Sequence, residues 1–170
     1  RQISKSFYRW QNSLMMQGRR EMENLNSLYK WLDLEGVFVF DRRLPFSKKD
    51  SKATTLKLKP PYETWGIFLD KKRLKTKAEE KSAVLHECGH YATGATHEVN
   101  SPFDLVAKHE YKADKWAVER ALSVDELDDA VAEGHTEIWD LAEYFGVTED
   151  FMRKAVCWYT YGNLATEASV

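Results

Sequence analysis

The amino-acid sequence predicts an α+β fold, with a small twisted β-sheet packed on one helix and further helices before and after it. Three observations carry this reading. Short β-type runs are confined to the first half of the chain, between residues 37 and 69. From Thr76 onward the apolar residues recur at helical spacing. The 170 residues are 43% hydrophobic and 13% aromatic, enough to bury a core without disulfide staples.

Ile3, Phe7, Trp10 and Leu14 predict a helix over 3–16, and Gly18-Arg19-Arg20 interrupts it. Leu25, Leu28, Tyr29 and Leu32 predict a second, near Glu21–Leu34, closed by Gly36. Val37-Phe38-Val39-Phe40 is a short apolar strand, and the basic stretch 42–52 is a loop. Ala53–Leu58 alternates, placing Thr54, Leu56 and Leu58 on one face, and Pro60-Pro61 breaks it. Trp65–Leu69 is the third strand. Thr76 and Glu79 fit a capping box that opens a helix to about Ala92. Gly94 and Asn100 mark a loop. Ser101-Pro102 reads as an N-cap followed by proline at the first helical position, and that helix runs to about Leu122. Helices over Val124–Ala132, Thr136–Phe145 and Thr148–Tyr159 follow. The organisation expected is N-terminal helices over 1–35, a core over 36–122 and a C-terminal helical subdomain over 123–170, packed with the core as one unit.

Composition excludes several functions. A formal net charge of −2 leaves no electrostatic footprint for nucleic acid or an acidic membrane surface. No run approaches the roughly 18 apolar residues of a membrane span, and no signal-peptide pattern opens the chain. With only Cys88 and Cys157, a reducing, cytoplasmic setting is expected. The chain begins at Arg1 rather than Met. Residues can therefore be missing upstream, or Met22 can be a natural start with 1–21 an extension.

The chemistry concentrates in His86-Glu87-Cys88-Gly89-His90. Two histidines four apart on a helix share a face and can grip one zinc ion. Glu87, beside the first of them, is placed to take a proton from water activated by that ion. A catalytic zinc needs a third protein ligand and an open position. Glu110 is the candidate, on the next helix. Asp114 lies one turn later and can accept the free ring N–H of a zinc histidine. His109 competes with Glu110, but neighbouring helical positions point about 100° apart, so one of them faces the metal. His97, Tyr91 and Tyr111 are candidates for stabilising an oxyanion, with His97 and His109 also alternative ligands. Cys88 faces the core. Gly89, with the small Ala113 and Ala117, permits close helix packing beside the site.

On these residues, HECGH followed by KHEYKADKWA, the chain resembles the ImmA/IrrE metallopeptidases and, more broadly, gluzincins with HExxH then ExxxD. The resemblance covers roughly Val37 to Leu122 and extends through TEIWDLAEYFGVTEDFMRKAVCWY. It implies a zincin-like minimal metallopeptidase fold, one Zn2+ on His86, His90 and Glu110, Glu87 as general base and Asp114 as orienter. It also implies a cytoplasmic regulatory protease that cleaves a helix-turn-helix repressor encoded nearby.

The C-terminal Thr136–Phe145, Gly146 and Thr148–Tyr159 have a helix-turn-helix shape. A DNA-reading helix should be basic, yet Glu149 and Asp150 open this one, and Arg153 and Lys154 are its basic residues. A helical cap on the core is the expectation and direct DNA binding is not. The competing readings are a DNA- or regulator-binding protein with a vestigial zinc site and a protein whose zinc is structural. Neither needs a base at Glu87. A substrate strand would lie along a sheet edge, with Thr64–Leu69 the edge expected.

Overall fold

The computed structural model describes residues 24–43, 52–96 and 101–164. The helix expected over 3–16, most of the basic loop and His97 lie outside the described residues.

Helix α1 (Leu25–Leu34) starts at Asn24, whose side chain accepts the Ser27 N–H at 3.0 Å, and it buries Leu28 and Leu32. Gly36, at φ +71, turns the chain into β1 (Phe38–Asp41). Strands β2 (Ala53–Lys57) and β3 (Trp65–Leu69) complete a three-stranded sheet in the order β1-β3-β2. β3 runs parallel to β1, with Phe40 opposite Phe68, and antiparallel to β2, with Thr55 opposite Ile67.

β3 is therefore the central strand, not the edge expected from sequence. Its run Trp65-Gly66-Ile67-Phe68-Leu69 carries no charge on either face, which suits a strand paired on both sides. The edge beside the site is β2, which ends in Lys57. Thr54 and Leu56 do share a face of β2, but it is the outward one. Leu56 is 50% exposed, whereas Ala53 and Thr55 are buried. The inward face thus carries a polar side chain among apolar ones.

Helix α2 (Lys77–Thr93) packs on this sheet. Thr76 caps it by accepting the Glu79 N–H at 3.1 Å. Glu79 reaches past the cap to the Lys75 N–H instead of closing a full capping box. Helix α3 (Phe103–Ala121) has Pro102 itself as N-cap, one residue later than expected. The ring holds φ at −55 while ψ stays extended at 144, and the Pro102 carbonyl accepts the N–H groups of Leu105 and Val106. Gly89 and Ala113 bring α2 and α3 into backbone contact. A Cβ at Gly89 would stand 2.3 Å from the Ala113 carbonyl oxygen.

Three helices follow: α4 (Val124–Ala132), with a complete Ser123/Glu126 capping box, α5 (Ile138–Phe145) and α6 (Glu149–Tyr161). The α5–α6 corner, turned at Gly146, is fastened to α2. Buried Lys81 donates to the Phe145 carbonyl at 2.8 Å, and the Thr148 N–H donates to Ser82 Oγ at 2.9 Å. One core cluster runs from Leu28 and Leu32 through Ile67, Leu85 and Val118 to Met152. Among the described residues no helix is long and apolar enough to cross a membrane, and Cys88 and Cys157 are free thiols.

Candidate metal centre

His86 and His90 share one face of α2, and Glu110 reaches them from α3. The His86 and His90 Nε2 atoms are 3.0 Å apart. Glu110 places Oε2 at 3.2 Å from His86 Nε2 and Oε1 at 3.6 Å from His90 Nε2. Two imidazoles and a carboxylate around a tetrahedral zinc, each about 2.0–2.2 Å from it, stand about 3.3 Å from one another. The closest approaches among the three side chains lie near that spacing, with a different Glu110 oxygen nearest each histidine, and the three are the metal-capable group found among the described residues. His109, next to Glu110, is not part of it.

The other nitrogen of each histidine is anchored. His86 Nδ1–H donates to Asp114 Oδ1 at 2.8 Å. His90 Nδ1–H donates to the Ala95 carbonyl at 2.7 Å. A carbonyl only accepts, so the His90 proton sits on Nδ1 and its Nε2 lone pair faces the cluster. The Ala95 carbonyl is there because Gly94, at φ +61, ends α2 and folds the chain back, with the Ala95 N–H on the His90 carbonyl at 3.1 Å. In the sequence Gly94 marks only a loop, and nothing there signals this anchor.

Glu87 is 5% exposed. Thr55, inward on β2, donates to its Oε2 at 2.6 Å. The edge strand thus touches the carboxylate next to the metal-binding pair. No motif marks Thr55, and its inward position in an alternating strand was the available signal.

The electrostatics suit a cation. Burial alone would lower His86, but its hydrogen bonds with Asp114 and Glu110 and the nearby Glu87 charge raise it to about 10. Burial and the adjacent His86 push His90 down, keeping its imidazole neutral. Burial alone would raise Asp114, yet His86 and the Lys154 ammonium, 2.6 Å from Oδ2, hold it below the usual carboxylate range.

The oxyanion candidates fare differently. The Tyr91 hydroxyl donates to Glu35 at 3.0 Å, and its ring packs between Trp31 and Trp65 at centroid distances of 5.9 and 6.0 Å. Tyr91 therefore ties α2 to the end of α1, where its hydroxyl and ring are engaged. Tyr111 lies on the exposed side of α3. Cys88 is fully buried in the core, and burial pushes its thiol pKa up.

On α6, Arg153 pairs with Glu149 at 3.0 Å and Lys154 turns inward to Asp114. Neither basic residue is presented as an isolated charge for phosphates.

The model of a peptidase family, described as the IrrE N-terminal-like domain, matches residues 35–156. No curated protein and no solved structure matches the chain.

Proposed function

The chain belongs to the peptidase family of the IrrE N-terminal-like domain, and from that premise we propose that it is a zinc-dependent endopeptidase that cuts a protein substrate. The family supports a metallopeptidase-type function. The observation that carries the reading further is the donor cluster. The three side chains approach one another to 3.0–3.6 Å, with one Glu110 oxygen nearest each histidine, and each histidine is anchored through its other nitrogen.

His86, His90 and Glu110 would hold the ion. Zinc supplies a Lewis acid, which polarises a peptide carbonyl and lowers the pKa of water to about 7. Glu87 takes the proton from the attacking water and returns it to the departing nitrogen. Thr55 aims the Glu87 carboxylate, and the α1–α2 contacts of Tyr91 keep the helix in place. β2, which carries Thr55 and is an edge strand among the described residues, is the strand along which an extended peptide can add. The substrate we propose is a helix-turn-helix repressor encoded nearby. It rests on the resemblance to ImmA/IrrE proteins and not on any group of this chain.

The test compares wild type with Glu87→Gln, both zinc-loaded, on that repressor, with fragments read by mass spectrometry. Glu87→Gln should keep its zinc and lose about 10²–10⁴-fold in cleavage rate. Equal cleavage by the two proteins would sink the mechanism.

A further inference from the structure

Asp114 offers two oxygens, and they are claimed by different parts of the fold. Oδ1 takes the His86 Nδ1–H at 2.8 Å, and Oδ2 takes the Lys154 ammonium at 2.6 Å. His86 comes from α2, Asp114 from α3 and Lys154 from α6. The residues of these two contacts are 28 and 40 apart in sequence.

We propose that Lys154 is a positioning residue of the metal centre: by holding the second oxygen of Asp114 it fixes the carboxylate plane, and through it the His86 ring in its ligating orientation. This inference rests on the metal site proposed above.

The bland alternative is an ordinary surface ion pair, which contributes little. Three observations weigh against it. The pair is short and charge-assisted, and the Asp114 side chain is only 17% exposed. Lys154 also acts on a group already committed to His86, so its loss frees a carboxylate that must stay fixed. Arg153, next to it, shows what an ordinary pair here looks like: it bonds Glu149 on its own helix, with both side chains about half exposed. Charge points the same way. Glu87, Glu110 and Asp114 bring three carboxylates to one site, and a divalent cation with one ammonium balances them.

Removing the ammonium has two opposed effects on zinc binding. It relieves repulsion of the ion, and it releases Asp114. The repulsion acts across Asp114 and His86 and is weakened by the intervening carboxylate. Partners that orient a ligand histidine typically contribute about 10–100-fold in metal affinity, so release wins. The helix does not depend on Lys154 for its place. The Tyr159 hydroxyl donates to the Leu122 carbonyl at 2.6 Å, and Lys115 sits 4.8 Å over the Trp158 ring.

The experiment is zinc affinity by competition with a chromophoric chelator, in a double-mutant cycle. Lys154→Met should weaken zinc about tenfold in the wild-type background and by less than about twofold in Asp114→Asn. Lys154→Arg keeps a cation on Asp114 and should stay within about threefold of wild type. A role confined to holding α6 would weaken zinc equally in both backgrounds, which overturns the proposal. Unchanged or tighter binding by Lys154→Met overturns it too, and so does a loss in Lys154→Arg equal to that in Lys154→Met. If Lys154→Met does not fold, the Lys154→Arg arm decides. A wild-type chain that takes up no zinc overturns the metal reading itself, and this inference with it.

Discussion

Replacing Gly89 by alanine tests the packing that builds the site. In an exposed helix this change should stabilise, because alanine is better than glycine by about 1 kcal/mol. Here the added Cβ meets backbone. It would stand 2.3 Å from the Ala113 carbonyl oxygen and 2.8 Å from the Ala113 C and Cα, where ordinary contact begins at 3.4 Å. The deficit at the oxygen is about 1 Å, and no side-chain rotation relieves a clash with backbone. Overpacking of this kind costs about 1–3 kcal/mol, and rigid neighbours put it near the top of that range. Set against the propensity gain of about 1 kcal/mol, the net is about 2 kcal/mol of destabilisation. Relief requires α3 to move away from α2, carrying Glu110 and Asp114 with it. The Glu110 oxygens that now stand 3.2 and 3.6 Å from His86 Nε2 and His90 Nε2 would be drawn away from them. Zinc affinity should fall about tenfold or more. Urea unfolding of chelator-treated protein gives the first quantity and chelator competition gives the second. A Gly89→Ala protein that is more stable than wild type and binds zinc unchanged would refute the close-approach argument.

Glu110→Ala should lose zinc on dialysis while His109→Ala keeps it. Metal analysis showing the reverse would move the third ligand to His109. The His86 environment also predicts a pH dependence in chelator-treated protein. Its folded pKa of about 10 lies above the ordinary 6.5, so protonated His86 contributes stability that is full below pH 6.5 and is lost as pH rises through 10. The urea midpoint should therefore fall more between pH 7 and pH 10 in wild type than in His86→Gln. An equal fall in both would show that other groups carry the dependence.

Each of these tests bears on a contact of known origin, and the origins differ. Periodicity and spacing were enough to place His86, Glu87 and His90 on one helix, because a helix puts i and i+4 on the same face whatever surrounds it. The same local rule singled out Glu110 and Asp114 one helix later, and it explains why a helix carrying Gly89 can approach another closely. It left Tyr91 among the oxyanion candidates, and only its contacts with Glu35, Trp31 and Trp65 reveal a packing residue. Helix starts were legible where a side chain caps its own turn, as at Thr76. They slipped where proline set the backbone, as at Pro102.

What the sequence by itself determined is the set of groups that local geometry brings together: two imidazoles and a carboxylate on one helix, and a carboxylate pair on the next. What only the tertiary structure decided is the set of partners drawn from distant segments. Thr55 reaches Glu87 across 32 residues, and Lys154 reaches Asp114 across 40. The order β1-β3-β2, which makes β2 the edge beside the site, belongs to the same class. The physical reason is that strand order and helix docking follow from burial summed over the whole chain. No short window of residues contains that sum, so a threonine on a strand and a lysine on the last helix carry no local sign of the histidine site they support.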